Sequence, residues 1–113
     1  VTASIDRMDF HRPGFIGNLL TVKAGLNMTG KTSMEIGARV EAEDLITGKK
    51  THIASAYLTF VALGEDFRPT EIPPIKPVTS EDIRRNREAM DRRRLRLNEK
   101  IRENECQADS NRC

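Results

Sequence analysis

The stretch Gly30-Lys31-Thr32-Ser33-Met34-Glu35-Ile36-Gly37-Ala38-Arg39-Val40-Glu41-Ala42 decides how the chain folds. A polar turn holding a glycine, a cation and two hydroxyls runs directly into strict alternation. Met34, Ile36, Ala38, Val40 and Ala42 fall on one side, Glu35, Gly37, Arg39 and Glu41 on the other. Successive side chains of a strand point to opposite faces, so this pattern predicts a half-buried strand. The turn that leads it would sit at a sheet edge, where backbone N–H groups and a cation can meet an anionic or carbonyl-bearing ligand. The strand carboxylates Asp6, Asp9, Glu35, Glu41 and Glu43 are expected on solvated faces or in pairs with Arg7 and Arg39.

Outward from this stretch the same period recurs. Leu20, Val22, Ala24, Leu26 and Met28 mark a preceding strand, and Val1 to Phe10 alternates weakly before His11-Arg12-Pro13-Gly14 breaks it. On the other side, the loop Asp44 to Lys49 suits a hairpin, and a strand from about Lys50 to Leu63 is apolar enough on both faces to be central. Pro69, Pro73, Pro74 and Pro77 make an extended connector. Thr79-Ser80-Glu81-Asp82 has the form of a helix N-terminus, and helical composition follows to about Glu103 with one narrow apolar seam, Ile83, Met90, Leu97 and Ile101. The expected organisation is α+β: residues 1–78 as sheet and connector, 79–105 as a charged helix, and 106–113 as a disordered tail.

At 113 residues the chain holds one core. Apolar residues make up 37% and charged residues 32%, which leaves part of the surface for solvent or a partner. Eight of the thirteen arginines lie between Arg84 and Arg102, but acidic residues are mixed among them and the net charge is only +2, so a solvated helix is favoured over a nucleic-acid surface. Cys106 and Cys113 have no Cys/His cluster around them, which supports neither a metal site nor a disulfide scaffold. No apolar run is long enough to span a bilayer and no signal pattern opens the chain, so a cytoplasmic location is expected. The chain begins at Val1 inside a strand pattern, which reads as a fragment or a processed form.

Four antiparallel strands must bury their apolar face against a second layer, and the predicted helix has a seam one residue wide. Either a covering helix lies upstream of Val1 or the sheet stacks on another copy. The central strand likewise needs neighbours on both sides, from an upstream strand or a partner chain.

Several segments, in order, carry a family resemblance. They are Asp9-Phe10 with Pro13, Gly17-Asn18, the Gly30-to-Glu35 turn and strand, Glu43-Asp44 with Thr47-Gly48, the strand Ser55 to Leu63, Pro73-Pro74 and the charged helix. Together they resemble the hotdog-fold acyl-CoA thioesterases, in the cytosolic acyl-CoA hydrolase branch, over about Val1 to Glu103. The resemblance implies a sheet that wraps a central helix, hydrolysis of acyl-CoA to free fatty acid and coenzyme A, and a homodimer assembling into a hexamer as a trimer of dimers. Coenzyme A enters only as part of substrate and product, with no other cofactor and no metal. In such enzymes an aspartate on the central helix acts as base or nucleophile, with an asparagine and backbone N–H groups polarising the thioester. That helix precedes the strand that opens this sequence, so no residue here is assigned a catalytic role. Expected substrate contacts are Phe10 in the acyl pocket, the turn from Gly30 with Thr32 and Ser33 at its strand start, whose hydroxyls and N–H groups meet the pantetheine arm or a partner's helix, and Lys31 at the phosphates of coenzyme A. Thr47-Gly48-Lys49-Lys50 reads most simply as a hairpin end, and His11 and His52 take surface or edge roles. A non-catalytic hotdog module binding an acyl-CoA or a protein is the alternative.

Overall fold

The computed structural model describes residues 1–108. Strands β1 (Thr2–Phe10), β2 (Leu19–Thr29), β3 (Ser33–Glu43) and β4 (Lys50–Val61) form one antiparallel sheet in the order β1-β4-β3-β2. The helix α1 spans Ser80–Ala108. The sheet with its connector, Val1–Lys76, and the helical segment from Pro77 onward are separate compact units. Among the described residues the architecture is α+β, four antiparallel strands followed by one helix.

Consecutive hairpins join β2, β3 and β4, and β1 pairs along the free side of β4. The strand that reads as central is therefore interior. Its second neighbour is β1 of the same chain, not an upstream strand or a partner. Register makes the apolar face continuous: Ile36 pairs with Leu26 and Leu58, Ala38 with Ala24 and Ala56, Val40 with Val22 and Ala54. Ile5, Met8 and Phe10 extend it through Leu58, Ala56 and Ala54. Register slips between Val40 and Glu41, where β4 carries the extra residue Ile53. A bulge of this kind bends the strand and re-aims its side chains.

This apolar face is open. Phe10 is 77% exposed and Val22 64%, and no large side chain is fully buried among the described residues. The sequence-based expectation that the sheet needs a second layer is matched by that exposure.

The opposite, polar face departs from expectation. Glu35 is only 4% exposed and accepts a hydrogen bond from Asn27 Nδ2 at 3.0 Å. Gly37 makes this possible, because a Cβ there would lie 2.7 Å from that same nitrogen. Thr59, 6% exposed, donates to Asp6, which also accepts from Ser4 Oγ at 2.6 Å. Asp6 sits where β1 slips register between Ile5 and Arg7. Glu35 is thus not a solvated carboxylate, because a buried carboxylate is stable only where donors replace water. Asp9 and Glu41 do form the expected pairs, with Arg7 at 2.8 Å and Arg39 at 3.0 Å. The hydrogen bond from Arg39, assisted by Lys23, holds the Glu41 carboxyl below the usual range.

At the start of α1, Thr79 Oγ1 accepts from the Asp82 N–H at 3.0 Å while Asp82 Oδ2 accepts from the Thr79 N–H at 3.3 Å. This reciprocal capping box satisfies two donors that a helix start leaves orphaned. Pairs one turn apart, Arg85 with Glu81 at 2.7 Å and Arg94 with Asp91 at 2.8 Å, support the helix along its surface. The seam of Ile83, Met90, Leu97 and Ile101 is exposed, and the residue that is buried is Ala89. The helix continues to Ala108, so Cys106, Gln107 and Ala108 are helical where a disordered tail is expected. The remainder of that tail, 109–113, lies outside the described residues. Among the described residues no helix is long and apolar enough to cross a membrane.

Two measurements test this picture. Gly37→Ala should displace the Asn27 amide from Glu35 and cost about 1–2 kcal/mol in denaturant unfolding. Gly25→Ala, at the position paired with Gly37 but with open space around it, should be neutral or stabilising by about 0.5 kcal/mol through the unfolded chain. Equal effects would refute the role of the Asn27 contact. For α1, hydrogen bonds from Thr79 lower the Asp82 carboxyl below its ordinary 3.8. A depressed carboxyl stabilises the fold above its unfolded value, and that contribution is lost as pH falls through the folded value. Circular dichroism on acidification should show wild type losing helix more steeply than Asp82→Asn; superimposable profiles would contradict the cap.

Candidate substrate-binding site

Beyond Phe10 the chain turns across one end of the apolar face. The N–H groups of His11 and Arg12 both donate to the Ile53 carbonyl, at 2.8 and 3.4 Å, which fastens the loop to the bulged part of β4. Pro13 cannot extend that ladder, and Gly14 then passes close enough that a Cβ would lie 3.3 Å from Ile53 Cδ1. A tight turn follows. The Phe15 N–H donates to Asn18 Oδ1 at 2.9 Å, the Asn18 N–H donates to the Phe15 carbonyl at 3.1 Å, and Gly17 takes φ 94°. Few residues other than glycine adopt that conformation without cost.

The loop converts the end of an open face into a groove of about 560 Å³. Met8, Phe10, Leu20, Val40 and Ala54 line it, with His11 and Arg12 at the wall. Such a lining suits an apolar chain. The carboxylates of β3, namely Glu35, Glu41 and Glu43, alternate onto the other face, and Asp6 is held there by Thr59. The groove floor therefore carries no carboxylate. The ring of His11 lies 4.8 Å from that of His52. His52 Nε2 is 3.0 Å from the Ala54 carbonyl and 2.7 Å from Ser55 Oγ. A carbonyl only accepts, so Nε2 bears the proton in that contact.

The residues expected to contact substrate are not brought together within one chain. Phe10 lines the groove. Gly30, Lys31, Thr32 and Ser33 occupy the opposite end, since Ser33 pairs with Val61 and Val40 with Ala54. Seven residues of strand separate Ser33 from Val40, about 23 Å. The turn is also engaged structurally. The Gly30 N–H donates to the Ser33 carbonyl at 2.7 Å, the Lys31 carbonyl accepts from the Ile72 N–H at 3.0 Å, and the Thr32 carbonyl accepts from the Ala62 N–H at 2.9 Å. Lys31 Nζ lies 3.5 Å from Glu71. In sequence this turn is conspicuous and the groove wall is not, because Arg12 beside a proline looks like any exposed loop cation.

Residues 1–49 match the Thioesterase superfamily. Protein VdlD of Helicobacter pylori is 43% identical over 96 residues, 85% of this chain and 55% of that protein. The crystal structure of a hexameric acyl-CoA thioesterase superposes with a TM-score of 0.82 at 36% identity, over 88% of this chain and 64% of its own. An acyl-CoA hydrolase of Staphylococcus aureus, solved with butyryl coenzyme A, coenzyme A and coenzyme A disulfide, gives 0.81 at 30% identity, over 93% of this chain and 64% of its own.

The chain has the hotdog fold of these acyl-CoA thioesterases and hydrolases and resembles them in sequence. The chain spans little more than half the length of the curated relative it matches. The bulge residue of β4, Ile53, is itself part of the lining of the groove under the loop that follows β1.

Proposed function

We propose that the whole protein hydrolyses acyl-CoA to a free fatty acid and coenzyme A. The observation that carries this reading is the likeness in both sequence and fold to acyl-CoA thioesterases and hydrolases. The Phe10 groove supports it as a place for the acyl chain.

Thioester hydrolysis needs a group that directs water or a carboxylate at the carbonyl, and donors aimed at the oxyanion that develops. The groove floor offers apolar contact only. In this proposal the catalytic carboxylate comes from outside the described residues and stands over the apolar face, so that the face buries its side chains and the reaction is screened from water in one step. Residues of this chain bind and orient; none of them is the nucleophile.

The opposed positions of Phe10 and the Gly30-to-Ser33 turn are reconciled in a homodimer. The outer edge of β1 has no strand partner among the described residues. Two β1 edges paired antiparallel about a twofold axis would set the Thr2 end of one chain beside the Phe10 end of the other. The turn of one protomer would then approach the groove of its partner, where Thr32 and Ser33 hydroxyls can contact the pantetheine arm. Three such dimers would make the hexamer. The missing carboxylate on the groove floor favours one competing reading, a hotdog module that binds acyl-CoA without cleaving it.

Thiol release separates the two. The whole protein should liberate coenzyme A from acyl-CoA while the 113-residue chain alone does not, and substantial turnover by this chain alone would overturn the assignment of the carboxylate. Binding without thiol release at any acyl length would favour the non-catalytic module. Phe10→Ala should raise KM more for longer acyl chains, up to about tenfold, in line with the apolar area lost. A uniform effect across chain lengths would remove Phe10 from the acyl site.

A further inference from the structure

The clasp that fixes the loop after β1 also brings two imidazoles together. The His11 N–H donates to the Ile53 carbonyl at 2.8 Å, which holds His11 against the residue that follows His52. The two rings lie with their centres 4.8 Å apart and their planes inclined by 51°. The carboxylates that the strand register brings to this region are committed to cations. Glu41, opposite His52 in the ladder, takes Arg39 at 3.0 Å and Lys23 at 3.5 Å. Asp9, opposite Ser55, takes Arg7 at 2.8 Å. Among the described residues no third histidine, cysteine or carboxylate joins the two rings.

The hydrogen bonds of His52 decide which of its nitrogens can bind. Nε2 meets the Ala54 carbonyl at 3.0 Å and Ser55 Oγ at 2.7 Å, and because a carbonyl only accepts, Nε2 carries the ring proton. The lone pair of the neutral ring therefore sits on Nδ1. A histidine that ligates a metal is oriented in this way. Its other ring N–H goes to a carbonyl, carboxylate or water, which fixes the tautomer and raises the basicity of the ligating nitrogen. His11 is exposed and its ring makes no hydrogen bond among the described residues, so either of its nitrogens can turn toward His52. With metal–nitrogen bonds of about 2 Å, two imidazoles on one ion hold their ring centres about 5 Å apart. The observed spacing already meets that requirement.

We propose that His11 and His52 form a two-histidine site for a borderline transition-metal cation, zinc being the type, with water completing the coordination. Uncharged imidazole nitrogens suit zinc, nickel and copper, whereas magnesium and calcium take oxygen ligands. The ion joins the loop to β4 at a second point, beside the bond from the His11 N–H to the Ile53 carbonyl. His11 also lines the wall of the apolar groove, so occupancy of the site braces that wall. The inference stands apart from the hydrolytic reading, since it uses neither an acyl chain nor a thioester. It gives one role to two histidines that the sequence places on separate elements, where each alone reads as a surface or edge residue.

Calorimetric titration of the metal-free whole protein with zinc chloride, and separately with magnesium chloride, tests the site without requiring turnover. Zinc should bind wild type with one more ion per chain than it binds the double variant His11→Gln with His52→Gln, and magnesium should show no such difference. His11→Gln alone should weaken that ion by at least about 10- to 100-fold, the range seen when merely the partner of a metal ligand is removed. His11→Cys, which offers zinc a thiolate in place of the imidazole, should keep the binding that His11→Gln loses. Because the His11 side chain is exposed, neither single substitution should disturb the fold. Saturating zinc should accordingly raise the thermal midpoint of wild type and His11→Cys more than that of His11→Gln. The proposal is overturned if wild type binds no zinc, if His11→Gln or the double variant binds zinc as wild type does, if magnesium binds the pair as well as zinc, or if His11→Cys is no better than His11→Gln.

Discussion

The two-residue period of β3 is the constraint on which the structure depends. Because successive side chains face opposite ways, Met34 to Ala42 delivers five apolar residues to one side of the sheet and its charged residues to the other. Antiparallel register carries that division across β2, β4 and β1 except beyond bulges, as in β2, where Met28 pairs with Glu35. A slip of one residue would invert it and bury Arg39 and Glu41 in the apolar layer. The consequence for chemistry is a separation of roles: the face that can hold an acyl chain has no strand carboxylate, and the face with carboxylates is committed to hydrogen bonds and ion pairs.

The polar face is where the sheet is most tightly specified. Asn27 covers Gly37 and donates to Glu35, and Thr59 ties Asp6 of β1 to β4. These contacts link β2 to β3 and β1 to β4, so they help fix the register that keeps the apolar face continuous. Buried polar groups with satisfied partners are costly to rearrange, which makes them effective at selecting one pairing over its neighbours. The apolar face, in contrast, holds the least buried large side chains of the sheet.

Much of this was legible in the residues. Alternation located β2, β3 and β4, the double-sided apolar pattern marked β4 as interior, and Thr79 with Asp82 signalled the helix start. What could not be read were the facts that depend on neighbours distant in sequence. Pairing of β1 with β4 joins residues more than 40 apart, and nothing local to either strand announces it. The burial of Glu35 requires Asn27 eight residues earlier and the bare backbone of Gly37, so a pattern that assigns Glu35 to the polar side is right about its face and wrong about its exposure. The ends of the sheet were likewise ambiguous. Phe10 and the Gly30-to-Ser33 turn both looked like ligand contacts, and only the register shows that they sit at opposite ends of the strands.

The central claim is that the apolar face, at its Phe10 end, receives the acyl chain. An acyl-CoA analogue with a photoreactive diazirine at the end of its chain, cross-linked to the whole protein and mapped by mass spectrometry at residue resolution, tests it directly. The alternation of the strands makes the outcome sharp. Label on Met8, Phe10, Leu20 or Val40 is the predicted result, and label on Thr21, Arg39, Glu41 or Tyr57, which share the other face, would contradict it.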